Sequence, residues 1–136
     1  MTPIEVFDAV RNRWLANLPT FDADLLADDV LVEALFAAPG RPTRIEGKQR
    51  VLEYTQGSRA QFPVRFDDCR NVVVHTTTDP DVIVVEYELV GTHTTTGTTA
   101  SAPFIVVLRT RDGRLANWRE YQHTLAIARA VGQMQD

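Results

Sequence analysis

The segment "RDGRLANWREY", residues 111–121, joins a turn to a strand and decides how the end of the chain folds. Its Arg-Asp-Gly start is a turn signal, and residues two apart in the strand that follows point to the same face. Trp118 and Glu120 therefore share one face, whereas Arg119 and Tyr121 share the other. If the tryptophan face is buried, a carboxyl group is buried with it.

Three more strand-like runs precede this segment from Val64 onward. They are rich in Val, Ile, Thr and Tyr, as in "DVIVVEYELVGTHT" (81–94) and "SAPFIVVLRT" (101–110), a composition that strands favour. Short turn signals separate the runs, namely "TDPD" at 78–81 and "TTG" ending at Gly97. Because consecutive strands with short turns pair antiparallel, the second half of the chain predicts a four-stranded meander.

The first half of the chain carries helix signals. Thr2 can cap a helix, Pro3 suits its first position, and Glu5 completes a capping box. Apolar residues then recur at helical spacing until Pro19, at Ile4, Phe7, Val10, Trp14 and Leu18. The pattern further predicts a short helix over about Phe21–Leu26, a strand over Val30–Ala37, a loop over "PGRPTRIEG" and a third helix over about Gly47–Gln61.

Length and composition indicate one globular domain over residues 1–136. Hydrophobic residues make up 44% of the chain and charged residues 24%, as in ordinary globular proteins. The formal net charge is −4 and no basic run offsets it, which argues against nucleic acid as a partner. No signal peptide or apolar run long enough to span a membrane stands out, so we expect a cytoplasmic protein with no membrane partner.

Helices followed by a long antiparallel sheet are typical of the α+β class. We expect a cone-shaped fold in which a curved, mainly antiparallel sheet packs against three N-terminal helices. A strongly twisted sheet leaves a space between the two layers, and this space is where a small hydrophobic molecule would bind.

Three motifs resemble the nuclear-transport-factor-2-like superfamily: "LADDV" at the entry to the first strand, "IEGKQRV" opening the third helix, and "RDGRLANWREY". The superfamily includes SnoaL-like polyketide cyclases, ketosteroid isomerases and limonene-epoxide hydrolases. The small phenazine-biosynthesis proteins are the most similar, through "EGKQRVLEYTQGSRAQFP", "TDPD" and "REY…RAVG". The resemblance implies a homodimer formed through the exposed face of the sheet.

The resemblance also implies roles for individual residues. Glu120 is similar in position to the catalytic acid of the phenazine proteins and to a water-positioning carboxylate of the epoxide hydrolases. Ser58 matches a serine of the phenazine proteins, whereas Tyr54 replaces their histidine. Val32 and Ala34 stand where the epoxide hydrolases have a tyrosine and an asparagine, and a ketosteroid isomerase has its base near Ala34. The water-activating set and the steroid-isomerising base are therefore absent.

Residue chemistry offers two interpretations of each candidate. Burial beside an indole would raise the pKa of Glu120 towards neutrality and make it a usable acid or base; the alternative is an exposed strand glutamate paired with an arginine. Tyr54 and Ser58 share a helix face and could hold a substrate oxygen, or could be packing residues. Alternation directs Glu86 and Glu88 to solvent, although the epoxide hydrolases use these two positions in their pocket.

We take the following residues as candidates for substrate binding: Trp14, Phe36, Phe62, Glu86, Glu88, Phe104 and Trp118, with Glu120, Ser58 and Tyr54 as catalytic candidates. His75, His93 and His123 lack metal-ligand spacing, so we expect no metal and no cofactor.

These candidates favour a cofactor-independent acid–base enzyme of the cyclase, isomerase or dehydratase type. Its substrate would be a small hydrophobic carbonyl-bearing metabolite of secondary metabolism. The alternatives are a non-catalytic small-molecule-binding or assembly module and an epoxide hydrolase-like enzyme.

Overall fold

A computed structural model describes residues 1–132 of the chain. The elements are, in chain order, α1 (Pro3–Leu15), a 3-10 turn (Ala23–Leu25), β1 (Leu26–Ala34), β2 (Arg44–Glu46), α2 (Lys48–Gln61), β3 (Val64–Thr76), β4 (Val82–His93), β5 (Thr99–Arg111), β6 (Arg114–Gln122) and α3 (Thr124–Ala130). This architecture confirms the α+β class with a curved, mostly antiparallel sheet.

Helix α1 begins at the predicted capping box. The Glu5 amide donates to Thr2 Oγ1 at 3.3 Å, and the Thr2 amide donates to Glu5 Oε1 at 2.9 Å, so two otherwise unpaired N–H groups are satisfied. The buried stripe of α1 contains Val6, Phe7, Val10 and Trp14. The predicted stripe was wrong at its two ends, because Ile4 is 42% exposed and Leu18 lies beyond the end of the helix.

The remaining boundaries in the first half differ from the prediction at three points. The expected second helix is only the 3-10 turn Ala23–Leu25, because Leu26 already has extended backbone and starts β1. Strand β1 ends at Ala34 instead of Ala37, where the chain turns back. The expected loop contains β2, which pairs antiparallel with β1. The predicted helix over about Gly47–Gln61 is α2. The remaining helix of the fold is α3, which lies near the C-terminus, so the three helices are not all N-terminal as expected.

The sheet has the strand order β2-β1-β6-β5-β4-β3. Its neighbours are antiparallel except for β1 and β6, which run parallel and place Ala34 opposite Glu120. On the other side of β6, Val106 of β5 is the partner of Glu120. Glu120 therefore lies in the interior of the sheet and is flanked by small or apolar residues.

The helices cover one face of this sheet, which we call the inner face. Helix α1 packs on β3, α2 on β1, and α3 on β5. The buried core between the layers includes Phe7, Val85, Leu108 and Trp118. Within residues 1–132, no helix combines the length and the apolar character needed to cross a membrane.

Candidate functional site

A cavity of about 530 Å³ lies between the inner face and the helices. This volume is in the range of small-molecule sites, which are typically concave and mostly apolar. Seven of the residues selected from the sequence line it: Trp14, Tyr54, Ser58, Phe62, Phe104, Trp118 and Glu120. Helices α1 and α2 and strands β5 and β6 thus bring together candidates that lie far apart in the chain.

Glu120 is partly buried on the inner face of β6, two residues after the buried Trp118. Its Oε1 accepts a hydrogen bond of 3.0 Å from the hydroxyl group of Tyr87. Tyr87 belongs to β4 and is only 3% exposed, so this contact lies within the protein and connects two strands separated by β5. The carboxyl group is therefore held by a partner from another strand.

Burial raises the pKa of Glu120 above its ordinary value. Hydrogen bonds from Tyr87 and the Trp118 side chain oppose this rise, because they stabilise the carboxylate. Burial also raises the pKa of Tyr87 well above its ordinary value, and the adjacent Glu120 adds to the rise, so the phenol stays protonated and donates. A carboxyl group in this environment can release or accept a proton closer to neutral pH than an exposed glutamate can.

Aromatic rings hold Tyr87 in place. Its ring lies 5.3 Å from that of Phe104 in a stacked arrangement and 5.3 Å from that of Trp14. The Trp118 ring contacts that of Phe21 edge-on at 5.4 Å. These packed rings fix the direction of the Tyr87 hydroxyl and form the apolar wall around Glu120.

Helix α2 supplies the hydroxyl groups on another side of the cavity. Tyr54 and Ser58 are one turn apart, partly buried, and line the cavity. Thr55 lies between them but donates its hydroxyl to the Val51 carbonyl at 2.9 Å, so the helix itself uses this group. Tyr54 and Ser58 are therefore better placed than Thr55 to bind a ligand oxygen.

Three residues selected from the sequence as binding candidates, Phe36, Glu86 and Glu88, do not line the cavity. Phe36 is 58% exposed and contacts the Tyr121 ring edge-on at 5.6 Å. Glu86 and Glu88 lie on the opposite, outer face of β4, because side chains alternate along a strand.

The outer-face glutamates have partners of their own. Glu86 Oε2 lies 2.5 Å from His75 Nε2, and Glu88 Oε1 accepts from Arg70 Nε at 2.7 Å. These contacts pair neighbouring strands β3 and β4 at the surface. The alternation rule was therefore the correct guide, and the resemblance to the epoxide hydrolases was not.

Sequence reasoning missed Tyr87, Arg59 and His93, which belong to the site or line its cavity. The signal for Tyr87 was present, because it has the same parity as the buried Val85 and Leu89. Arg59 and His93 gave no such signal, since their positions depend on contacts between distant segments. Arg59 donates to the Val64 carbonyl at the start of β3, and His93 is placed by the pairing of β4 with β3.

The cavity does not contain an evident cation site. Within residues 1–132, no group of three or more His, Cys, Asp or Glu side chains is placed to hold a metal ion. Val32 and Ala34 line the cavity beside Glu120 with apolar side chains. The hydrogen bond from the Tyr87 hydroxyl is thus the contact that fixes Glu120 at this apolar wall.

Comparison with known proteins assigns the chain to a family. The SnoaL-like domain model matches residues 5–118, and the chain belongs to this family. An uncharacterized PhzA/B-like protein of Pseudomonas aeruginosa is 32% identical over 109 residues, which cover 80% of this chain and 75% of the relative. This similarity confirms the resemblance to the phenazine-related branch of the nuclear-transport-factor-2-like superfamily.

Solved structures agree on the fold. A protein of Bacillus subtilis provisionally assigned as an isomerase has a TM-score of 0.84 at 24% identity, over 97% of this chain and 94% of its own. A phenazine biosynthesis-related protein of Pseudomonas aeruginosa has a TM-score of 0.73 at 21% identity, over 98% and 87%. A computationally designed 17-OHP binder has a TM-score of 0.70 at 18% identity, over 93% and 98%. Other neighbours are provisionally assigned polyketide cyclases and a protein with a ketosteroid isomerase-like fold.

Proposed function

We propose that the protein is a cofactor-independent acid–base enzyme of the cyclase, isomerase or dehydratase type. Its substrate is a small hydrophobic metabolite with a carbonyl group, of the kind found in secondary metabolism. The observation that carries this proposal is the hydrogen bond from Tyr87 to Glu120 inside an aromatic-walled cavity. The SnoaL-like family supports a small-molecule cyclase or isomerase class.

In this proposal Glu120 moves the proton. As a carboxylate it removes a proton from the carbon next to the substrate carbonyl, and as an acid it returns a proton to another atom. The Tyr87 hydroxyl keeps the carboxyl group in position throughout. Tyr54 or Ser58 donates a hydrogen bond to the substrate oxygen, where negative charge develops in the transition state. The aromatic wall excludes water and orients the substrate.

A second proposal is a binding or assembly module that uses the same cavity without chemistry. The designed 17-OHP binder supports it, because that protein has a similar fold and its name describes binding alone. The apolar lining beside Val32 and Ala34 supports it too, since shape and burial alone can retain a hydrophobic ligand. An epoxide hydrolase is not proposed, because these two residues cannot position water.

Proton exchange at a ketone tests the catalytic proposal without knowledge of the natural substrate. We would incubate the protein in D₂O with 2-tetralone and with its 6-carboxylate and follow deuterium incorporation beside the carbonyl by NMR. Glu120→Gln should lower the exchange rate by about 10²–10⁴-fold, the usual contribution of a general acid–base group. Tyr87→Phe should lower it less, because the carboxyl group remains.

Glu86→Gln is the matched control, since it makes the same change on the outer face and should leave exchange unaltered. Equal rates for the wild-type chain and Glu120→Gln with both ketones would overturn the catalytic proposal and leave the binding module.

We further propose that the protein is a cytoplasmic homodimer. The outer face exposes apolar side chains, with Ile105 41% and Val73 47% exposed, and a second copy of the chain would cover them. Sedimentation equilibrium tests the dimer, and a mass of 15.3 kDa would contradict it.

A further inference from the structure

The cavity has a second polar region, at the end of α2 and the start of β3. Arg59 lines the cavity there together with Phe62, Val64 and Phe66. The pairing of β3 with β4 places His93 opposite Val64, so that His93 also lies at this corner of the cavity. The region lies apart from Glu120, because Tyr87 and His93 are separated by roughly 20 Å of strand at the usual rise per residue.

The Arg59 guanidinium is held in place but is incompletely paired. Its Nη2 donates to the carbonyl oxygens of Phe62, at 3.3 Å, and Val64. The Cζ atom lies 5.7 Å from the centre of the Phe62 ring and 5.3 Å from that of Phe66. Nη1, in contrast, is buried and has no hydrogen-bond partner among residues 1–132.

The environment of Arg59 also lacks a negative charge. Within the described part of the chain, no carboxylate lies within ion-pair distance of its guanidinium. Burial lowers the pKa of Arg59, which means that the cationic form has lost hydration without gaining a counter-ion. A guanidinium that lines a cavity without a counter-ion would be stabilised by an anion that a ligand supplies.

His93 gives this corner a further hydrogen-bond donor. His93 Nδ1 accepts from the amides of Thr95, at 3.2 Å, and Thr96, at 3.3 Å, so the ring proton lies on Nε2, which is a donor. The corner therefore presents donors and positive charge, whereas the Glu120 region presents a carboxyl group.

We propose that the ligand of this cavity is a carboxylic acid and that Arg59 binds its carboxylate, with His93 as an additional donor. A guanidinium is well suited to this role because its planar N–H groups match the two oxygens of a carboxylate. The apolar body of the ligand lies along Phe62, Phe66 and Phe104. The assignment of the reactive carbonyl to the Glu120 region rests on the proposed function, but the carboxylate site does not.

A matched pair of ligands tests the carboxylate site. We would measure by calorimetry the binding of 2-naphthoate and of 2-naphthamide, which have the same shape and differ in charge. The wild-type chain should bind the acid about tenfold or more tightly than the amide, as expected for a charge-assisted hydrogen bond. Arg59→Gln should abolish this preference while it leaves the affinity for the amide within about twofold.

Glu120→Gln separates this test from that of the proposed function. It should retain the preference for the acid although it loses proton exchange, because binding at Arg59 needs no proton transfer. If Arg59→Gln does not fold, Arg59→Lys replaces it and should reduce the preference, because an ammonium group lacks the planar fork. Equal affinity for acid and amide in the wild-type chain, no binding of the acid, or an unchanged preference in both Arg59 variants would overturn the proposal.

Discussion

The two faces of β4 carry glutamate contacts of different kinds. On the inner face, the Tyr87 hydroxyl donates to Glu120 at 3.0 Å, surrounded by aromatic rings. On the outer face, Glu86 contacts His75, and Glu88 contacts Arg70, with side chains that are 24–51% exposed. Both faces pair carboxyl groups, but only the inner pair is withdrawn from water.

This difference shows that burial, rather than the presence of a partner, gives a carboxyl group unusual chemistry. Water screens the outer pairs, so their charges cost little and contribute little. On the inner face the charged form of Glu120 loses hydration and receives only neutral donors in return. The inner carboxyl is therefore the one whose pKa is raised, so it keeps its proton to a higher pH than the outer glutamates.

Of the substitutions on the two faces, Trp118→Ala should lower the stability of the chain most. The Trp118 ring is 2% exposed and contacts the rings of Phe7, Trp14 and Phe21, so its removal leaves a cavity. The free energy of unfolding in urea should fall by about 3–5 kcal/mol. Val73→Ala, at a position 47% exposed on the outer face, is the control and should change it by less than about 0.5 kcal/mol at protein concentrations where the chain is monomeric. Similar losses in both variants would mean that the outer face is packed as tightly as the inner.

The burial of Glu120 on the inner face should make the stability of the chain depend on pH. Because the pKa of Glu120 is raised in the folded chain, the folded state keeps a proton that the unfolded state has already lost. The free energy of unfolding should therefore fall as the pH rises from the ordinary value of 4.5 to the raised pKa, and be constant above it.

Urea unfolding at a series of pH values measures this effect as the difference between the wild-type chain and Glu120→Gln. The exposed Asp67 and Asp79, whose pKa values are lowered by hydrogen bonds, change stability in the opposite direction but cancel in the difference. A difference that increases with pH would contradict the burial of Glu120.

Glu88→Gln should have the smallest effect. The variant breaks the contact with Arg70 at 2.7 Å, but the two side chains are 24% and 50% exposed. Surface pairs of this kind contribute about 0–1 kcal/mol, so urea unfolding should show a change within that range that decreases further in high salt. A loss above about 2 kcal/mol would mean that this pair is not at the surface and that the second copy proposed for the outer face covers it.

Several features of the fold were predictable because they depend on neighbours in the chain. The capping box of Thr2 and Glu5 formed as predicted, since capping involves only the first turn of a helix. The four-stranded meander from Val64 onward also formed, because short turns leave consecutive strands few other ways to pair. The short helix near Phe21 was overpredicted, because a few residues of helical pattern cannot outweigh the pairing of the following strand.

The amino-acid sequence by itself determined that Trp118 and Glu120 share a face and that Tyr87 points away from Glu86 and Glu88, since strand alternation is a property of the local backbone. Only the tertiary structure decided that Tyr87 reaches Glu120, that Phe36 lies outside the cavity, and that Arg59 lies against Phe66. These relations depend on strand register and on how helices pack across the sheet. No local pattern encodes such contacts, because their energy comes from residues that meet only when the whole chain is folded.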